Sequence, residues 1–509
     1  MAQASDNSTA IDPHAKHFAT DHLKSDLKGR SLRSGLITLV AGAFGFVISM
    51  SATAVMARLL DLSDFGLIGM VSVVVSFIVL FKDLGLSMAT VQQEHINHQQ
   101  VSTLFWINAI ISCFIAYLTV AISPFIAWFF GEPRLLFIAM ASAPAQIFSG
   151  LIIQHQALLR RQMRFTALAA IQITSQLVSI TVALYMAWHG YGYWALVVQT
   201  LVSQVVNMLL VWLSTGWIPG RPTRSSGVRP MLRFGGFLTG FNLTNHFARN
   251  LDNILIGKFS GSGELGLYQK AYTLLMLPIS QINTPITAVA IPALSRLQND
   301  PQAYRRYYQR AIGLLVIVGM PVIAFAAAAA TPIILILLGE KWIDAVDIFI
   351  ALSPAAFIGT FNVATGWVYM SMGTTDRQFR YGLIASLLTC IGFAIGSMWG
   401  PVGVAWSLSI NFMLIRYPAV AYCFKGTHLK PKDLGLVIYQ PAIAAILAGL
   451  ATWFASQIWM QSWHLLTQFI SMAGLYALCY LLIWLLIPGG KQHLFNTFKL
   501  LKEIKGERG

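Results

Sequence analysis

Charge is scarce in this chain of 509 residues. Asp, Glu, Lys and Arg together make up 10%, against roughly 25% in ordinary soluble domains. Cysteine is scarce too. Cys113, Cys390, Cys423 and Cys479 all fall inside apolar runs, so neither a disulfide framework nor a zinc spacing is present. No P-loop, Gly-rich nucleotide motif or HExxH occurs, and no loop is long enough to fold as a separate domain. A primary pump, which needs a nucleotide site, is therefore disfavoured. So is a membrane glycosyltransferase or polymerase, which needs a sizeable extramembrane loop or a carboxylate-rich face. The short alternating segments of a transmembrane barrel are missing as well. The net charge of +15 does not point to nucleic acid, because the basic residues are confined to loops between apolar runs, as topology signals are.

What remains is apolar: 56% of the chain is hydrophobic, in runs that recur from end to end. This is the pattern of an all-α polytopic membrane protein. Fourteen candidate spans can be drawn. The first six are 34–57, 65–90, 102–130, 134–158, 165–188 and 192–214. The next six are 234–257, 267–293, 311–338, 345–371, 381–399 and 401–424, and the last two are 434–460 and 464–487. Each can cross a hydrocarbon layer of about 30 Å. Residues 1–30 are polar and read as a disordered cytoplasmic tail. The first apolar run, Gly35 to Ala57, is too long and too far in for a cleaved signal peptide.

The loops fall into two classes. One carries Lys24, Lys28, Arg30 and Arg33, then Arg160, Arg161 and Arg164, then Arg221, Arg224, Arg229 and Arg233. It continues with Arg296, Arg305, Arg306 and Arg310, then Arg377, Arg380, Lys425, Lys430 and Lys432, and ends in a Lys-rich C-terminus. The other class has only Arg58, Arg134, Lys258, Lys270 and Lys341. The positive-inside rule puts the first class, and with it both termini, in the cytoplasm. An even number of spans requires the same.

Shifted by 200 residues, the chain aligns with itself at a sparse set of positions. Leu32, Arg33 and Gly35 fall on Leu232, Arg233 and Gly235; Arg58 falls on Lys258 and Asp64 on Glu264; Gly66 and Leu67 fall on Gly266 and Leu267. The matches cluster at both ends of the first span of each half. Two six-helix lobes related by a repeat, plus two C-terminal helices, is a transporter plan. It divides the chain into a tail at 1–30, a first lobe at 31–214 and a cytoplasmic linker at 215–233. A second lobe follows at 234–424, the last two helices at 425–490, and a basic cytoplasmic tail at 491–509.

The seventh span is unusually polar for its setting: "FNLTNHFARNLDNILIGK" runs from Phe241 to Lys258. Asn242, Asn245, Arg249 and Asp252 share one helix face, and His246, Asn250 and Asn253 form a second row beside it. A charge facing lipid at mid-bilayer costs at least about 2.5–3.5 kcal/mol, so this face looks at protein or at water. Two readings follow. An Arg249–Asp252 pair can neutralise itself and join helices. Alternatively, the face lines a hydrated cationic cavity, which the extra amides favour. In "LFKDLGLSM", Lys82 and Asp83 interrupt the second span. They mark either a helix kink with Lys82 reaching for the interface or, with Asp252, an ion-coupling site. Arg416 in "NFMLIRYPA" reads as an interfacial anchor. Gln146, Gln154, His155, Gln172, Gln176, Gln199, Gln204 and Asn207 in spans four to six mostly suit bonds between helices. The first span offers only Ser and Thr, which leaves the positive charge concentrated in the second lobe.

"DNILIGKFSGSGELGLYQKAYTLLMLP", "ALLRRQMRF", "PALSRLQNDPQAYRRYYQRA" and "LLGEKW" resemble the polysaccharide-transporter branch of the multidrug/oligosaccharidyl-lipid/polysaccharide exporter superfamily, the Wzx-type flippases of the colanic-acid kind. The resemblance covers about residues 31–490. It implies two six-helix lobes around a central cavity and transport of undecaprenyl-diphosphate-linked oligosaccharide to the outer leaflet of a bacterial inner membrane. It also implies cationic residues of the first and seventh helices in the cavity; Arg249 matches on the seventh, while the first helix departs from the pattern. On this reading Arg249 receives the diphosphate, and Asn242, Asn245, His246, Asn250 and Asn253 meet sugar or water. Asp83, Asp252 and Lys82 are the candidates for coupling to H⁺ or Na⁺, and no cofactor is expected. The partners are the lipid-linked cargo, membrane lipids and the polysaccharide polymerase and export machinery. Two rivals stand beside it. A drug exporter of the same superfamily would usually present acidic groups, and a non-transporting scaffold would use the polar face to bind a partner helix.

The charge asymmetry predicts cytoplasmic loops at 215–233, 294–310 and 425–433, and a periplasmic "GEKW" at 339–342. Cysteines placed in these loops of a variant free of native cysteine can be probed with an impermeant thiol reagent on intact cells. Labelling is expected at the last site only; labelling of the other three would reverse the topology.

Overall fold

The computed structural model describes residues 27–79, 82, 87, 90–91, 96–223, 250–460 and 462–487. Residues 1–26 of the expected tail at 1–30, the tail at 491–509, most of the 215–233 linker, the repeat positions Leu232, Arg233 and Gly235, and the candidates Asp83, Asn242, Asn245, His246 and Arg249 lie outside the described residues, while 27–30, expected in the disordered tail, are helical. Every regular element among the described residues is helical. Twelve helical stretches among them are long and apolar enough to cross a membrane. The longest, Thr375–Phe424, is two helices divided at Gly400.

The chain forms two compact units. The first takes the described residues up to Leu60 and from Met70 to Thr223; the second takes Asp61–Gly69 and everything from residue 250 onward. In the first, α1 (Leu27–Leu59) and the body of α2 (Leu62–Val79) precede α3 (His98–Phe130), α4 (Arg134–Arg161), α5 (Phe165–Trp188) and α6 (Trp194–Thr215). The starts and stops have local causes. α3 opens on a capping box in which Asn97 Oδ1 accepts from the Gln100 amide (2.9 Å) and Gln100 Oε1 accepts from the Asn97 amide (3.1 Å). α3 and α4 interlock where Gly150 faces Ser112, since a Cβ at Gly150 would lie 2.0 Å from Ser112 Oγ. Amides and a histidine join the helices as their spacing suggests. Gln154 Oε1 accepts from Thr90, Gln176 Nε2 donates to Gly45 O, and Asn207 Oδ1 accepts from Gln156. His155 stacks on Trp212 at 4.4 Å, with Nε2 3.2 Å from Trp217 O.

The second unit contains α7 (250–259), α8 (Gly261–Arg296), α9 (Pro301–Ala328), α10 (Ala330–Leu337), α11 (Ala345–Gly359), α12 (Val363–Ser371), α13 (Thr375–Gly396), α14 (Gly400–Phe424), α15 (Pro431–Trp459) and α16 (Leu465–Leu486). Spans nine and ten of the sequence are each broken once, at Ala329 and at 360–362. The boundary drawn at Gly400-Pro401 is a hairpin. Gly400 takes φ 68°, ψ −160°, which a side chain would resist, and Pro401 stands in the first turn of α14, where its missing N–H costs nothing. Arg377 at the start of α13 closes the far end, donating to Tyr422 O and Lys425 O at 2.6 Å each. A core of buried side chains gathers α8, α9, α12, α14 and α15 around Tyr304, Tyr308, Trp367 and Phe424.

The repeat has a physical basis. Arg58 and Lys258 each end a helix, and Asp64 and Glu264 each begin the next. Those signs complement the negative and positive ends of the helix dipole. Between the acids' helices lies a reciprocal contact inside the second unit. A Cβ at Gly66 would sit 1.7 Å from Ser262 O, and one at Gly266 would sit 2.2 Å from Leu62 O. Leu62 and Ser262 are themselves 200 residues apart, so the crossing of α2 and α8 has two-fold character. It is legible in the sequence only as a paired glycine.

Gly66→Ala or Gly266→Ala must push these backbones apart, at a cost of about 1–3 kcal/mol. Thermal melting of the purified protein in detergent is expected to fall for both, while Gly263→Ala, which meets open space, melts like wild type. Unchanged melting of the Gly66 and Gly266 variants would refute the close crossing.

Candidate functional site

The polar helix can be followed from Asn250. α7 and α8 form an antiparallel hairpin about Ser260–Gly261, which brings residue 252 opposite 268 and 253 opposite 269. Tyr268 OH donates to Asp252 Oδ2 at 2.9 Å, and Gln269 Nε2 donates to Asn253 Oδ1 at 3.2 Å. The other oxygen of Asp252 accepts from the Asn253 amide (2.8 Å) and from Asn253 Nδ2 (3.2 Å). Asp252 is 5% exposed. Its carboxylate is held by neutral donors of α7 and α8, and both Asp252 and Asn253 turn toward α8. Asn250, one turn earlier, is half-buried. The polar face thus ends against protein at the end nearest the hairpin turn. Arg249 and the row before it lie outside the described residues, so the Arg249–Asp252 pairing has no geometry here.

Of the pair in the second span, Lys82 is described and Asp83 is not. Lys82 Nζ donates to Ser149 Oγ of α4 at 2.6 Å, and Ser149 donates in turn to Gln146 O at 3.0 Å. Lys82 is therefore bound to a helix of its own unit. Arg161, at the end of α4, donates to Thr90 O at 3.2 Å.

Lys270, counted among the sparse loop cations, and Arg416, read as an interfacial anchor, are both bound within the second unit. Lys270 is within α8, with Nζ 4.0 Å from the centre of the Phe65 ring. Phe65 in turn packs edge-on against Trp342 of "GEKW" at 5.5 Å. Arg416, read as an anchor, turns inward. Its guanidinium donates to Asn362 Oδ1 (2.5 Å) and Phe361 O (3.3 Å) and lies 5.0 Å from the Phe361 ring. The sequence offered one signal for each: Lys270 lies two residues after Tyr268 in a motif-rich stretch, and Arg416 follows an apolar run without a turn residue before it. Among the described residues no group of three or more His, Cys, Asp or Glu is placed to hold a metal.

An all-helical, multi-pass membrane protein with ionisable side chains bound inside its helical units is thus on the page. The sequence model of the family described as polysaccharide biosynthesis protein matches residues 55–347. The teichuronic acid biosynthesis protein TuaB of Bacillus subtilis (strain 168) is 27% identical over 361 residues, covering 67% of this chain and 72% of that protein. The lipopolysaccharide biosynthesis protein WzxC of Escherichia coli (strain K12) is 23% identical over 390 residues, covering 75% and 77%. Among solved structures, the lipid II flippase MurJ in an inward closed conformation shares the fold with a TM-score of 0.71 at 17% identity, over 88% of this chain and 97% of that one. The chain belongs to the polysaccharide biosynthesis protein family.

The Asp252–Tyr268 bond can be tested alone. Tyr268→Phe leaves a buried carboxylate short of a donor, at a cost of about 1–3 kcal/mol. A lower melting temperature is expected, partly restored when Asp252→Asn is added. Wild-type melting of Tyr268→Phe would show that the bond carries no weight.

Proposed function

We propose that this chain is a flippase that moves undecaprenyl-diphosphate-linked oligosaccharide repeat units across a bacterial inner membrane by alternating access, for the synthesis of a surface polysaccharide. The observation that carries this is the family match over residues 55–347. It takes in all four motifs, at 157–165, 252–278, 292–311 and 337–342, and the polar seventh span as well. The fold shared with a lipid flippase supports it.

On this reading the lobes are 31–214 and 234–424, with 215–233 as a cytoplasmic linker and both termini in the cytoplasm. Arg249 receives the diphosphate, because a guanidinium binds it through two parallel hydrogen bonds. Asn242, Asn245, His246, Asn250 and Asn253 supply the amide and imidazole groups that sugar hydroxyls or water need, while the prenyl tail stays in lipid. Asp83, assisted by Lys82, and Asp252 are the groups through which H⁺ or Na⁺ would drive the cycle. The polymerase and export machinery of the same polysaccharide are the partners to which cargo would pass. The chain itself performs no covalent chemistry.

Loss of guanidinium–phosphate bonds worth about 1.5–3 kcal/mol each lowers affinity at least about tenfold. In cells whose own transporter is deleted, wild type is expected to restore surface polysaccharide and clear the accumulated lipid-linked repeat unit. Arg249→Lys should restore part of it. Arg249→Ala combined with Asp252→Asn leaves no lone charge, so it should insert normally and restore none. Restoration by the double variant would overturn the role of Arg249; failure of wild type with a matching repeat unit would overturn the function.

A further inference from the structure

The second unit contains a cavity of about 380 Å³ among α11–α12, α13 and α14. Each wall is one helical face. Asn362, Gly366 and Tyr369 are three to four residues apart on α12 and the turn before it. Tyr381, Ala385 and Thr389 follow the same spacing on α13, and Phe412, Arg416 and Ala419 do so on α14. Small residues keep it open: a Cβ at Gly366 or Gly382 would meet nothing within 4 Å.

Its chemistry is lopsided. Arg416 is the one charged residue of the lining, which has no carboxylate. Among the described residues Arg416 makes no ion pair; its partners are an amide oxygen, a carbonyl and the face of a ring. Its Nε is buried without an acceptor, and so is the hydroxyl of Tyr369. Arg416 as a whole is half-buried; a cation partly withdrawn from water with no counter-charge beside it favours an anion in the cavity. Several hundred cubic ångströms is far more than a bare ion fills and lies in the range of small-molecule sites. The remaining lining mixes hydroxyl and amide groups with apolar walls, which suits a hydroxylated group attached to the anion. The cavity also lies toward the end of the bundle where Arg377, Arg380 and Lys425 cluster, the level at which lipid headgroups are met.

We propose that this cavity is a binding site for a phosphate ester of a polyol or sugar, with Arg416 as the receptor of the phosphate. It is separate from the polar face of the seventh span and does not depend on the role of Arg249. The phosphate can come from an anionic phospholipid headgroup or from a sugar phosphate of the cargo.

The test is calorimetric titration of the purified full chain in neutral detergent with two probes, dihexanoylphosphatidylglycerol and glucose 1-phosphate. Glucuronate and dihexanoylphosphatidylcholine serve as controls. At least one probe is expected to bind better than both controls, and which one does so identifies the source. Arg416→Gln is expected to weaken that binding at least tenfold and Arg416→Lys less. Gly382→Leu, which fills the open space without touching the arginine, should abolish it while the protein melts normally. If Arg416→Gln does not fold, Gly382→Leu alone decides. Absence of binding by both probes, equal binding of glucuronate, or binding that survives Gly382→Leu would overturn the proposal.

Discussion

An ionised side chain held between packed segments has lost much of its water, and the rest of the molecule has to replace it. That requirement fixes much of what is seen here. Asp252 takes a phenol and two N–H groups. Lys82 takes a serine, Lys270 a phenyl ring, and Arg416 an amide, a carbonyl and a ring. Each arrangement joins two segments of the chain, so the cost of burying a charge is offset by a contact that also orients the fold. Among the described residues Lys270 and Arg416 are met by rings and neutral oxygens. Neutral partners orient a charge without cancelling it.

Much of the architecture was legible as a one-dimensional pattern. Span five was drawn at 165–188 and the helix is Phe165–Trp188. The turn at Gly400-Pro401 was marked by the two residues that most strongly interrupt a helix. Such features are local, because an apolar run, a capping residue and a helix breaker act within a turn or two of themselves. The breaks at Ala329 and at 360–362 were missed for the complementary reason. Pro332 follows the first break and Gly359 and Asn362 bracket the second, but such residues also occur inside unbroken helices, as Pro124 and Pro144 do. The crossing at Gly66 and Gly266 was visible as a repeat, but its meaning, two backbones in contact, depends on a partner 200 residues away.

The functional residues divide in the same way. The polar seventh span stood out because asparagine, arginine and aspartate are rare in such surroundings. Its bond to Tyr268 did not, since tyrosine in an apolar helix carries no such signal. Arg416 reads in sequence as an anchor near the end of its span, and only the segment packed beside it shows that its guanidinium meets Asn362 and Phe361.

The central claim is that the chain carries lipid-linked oligosaccharide from one leaflet to the other. The most direct measurement uses the purified protein in sealed proteoliposomes with undecaprenyl-diphosphate-linked oligosaccharide in both leaflets. An impermeant glycosidase added outside then reports how much glycan it can reach. With the protein and an imposed ion gradient, the accessible fraction is predicted to rise from the outer-leaflet share toward the whole pool, while protein-free vesicles stay at the outer-leaflet share. An accessible fraction that stays at the outer-leaflet share with folded, correctly inserted protein under both proton and sodium gradients would contradict the account.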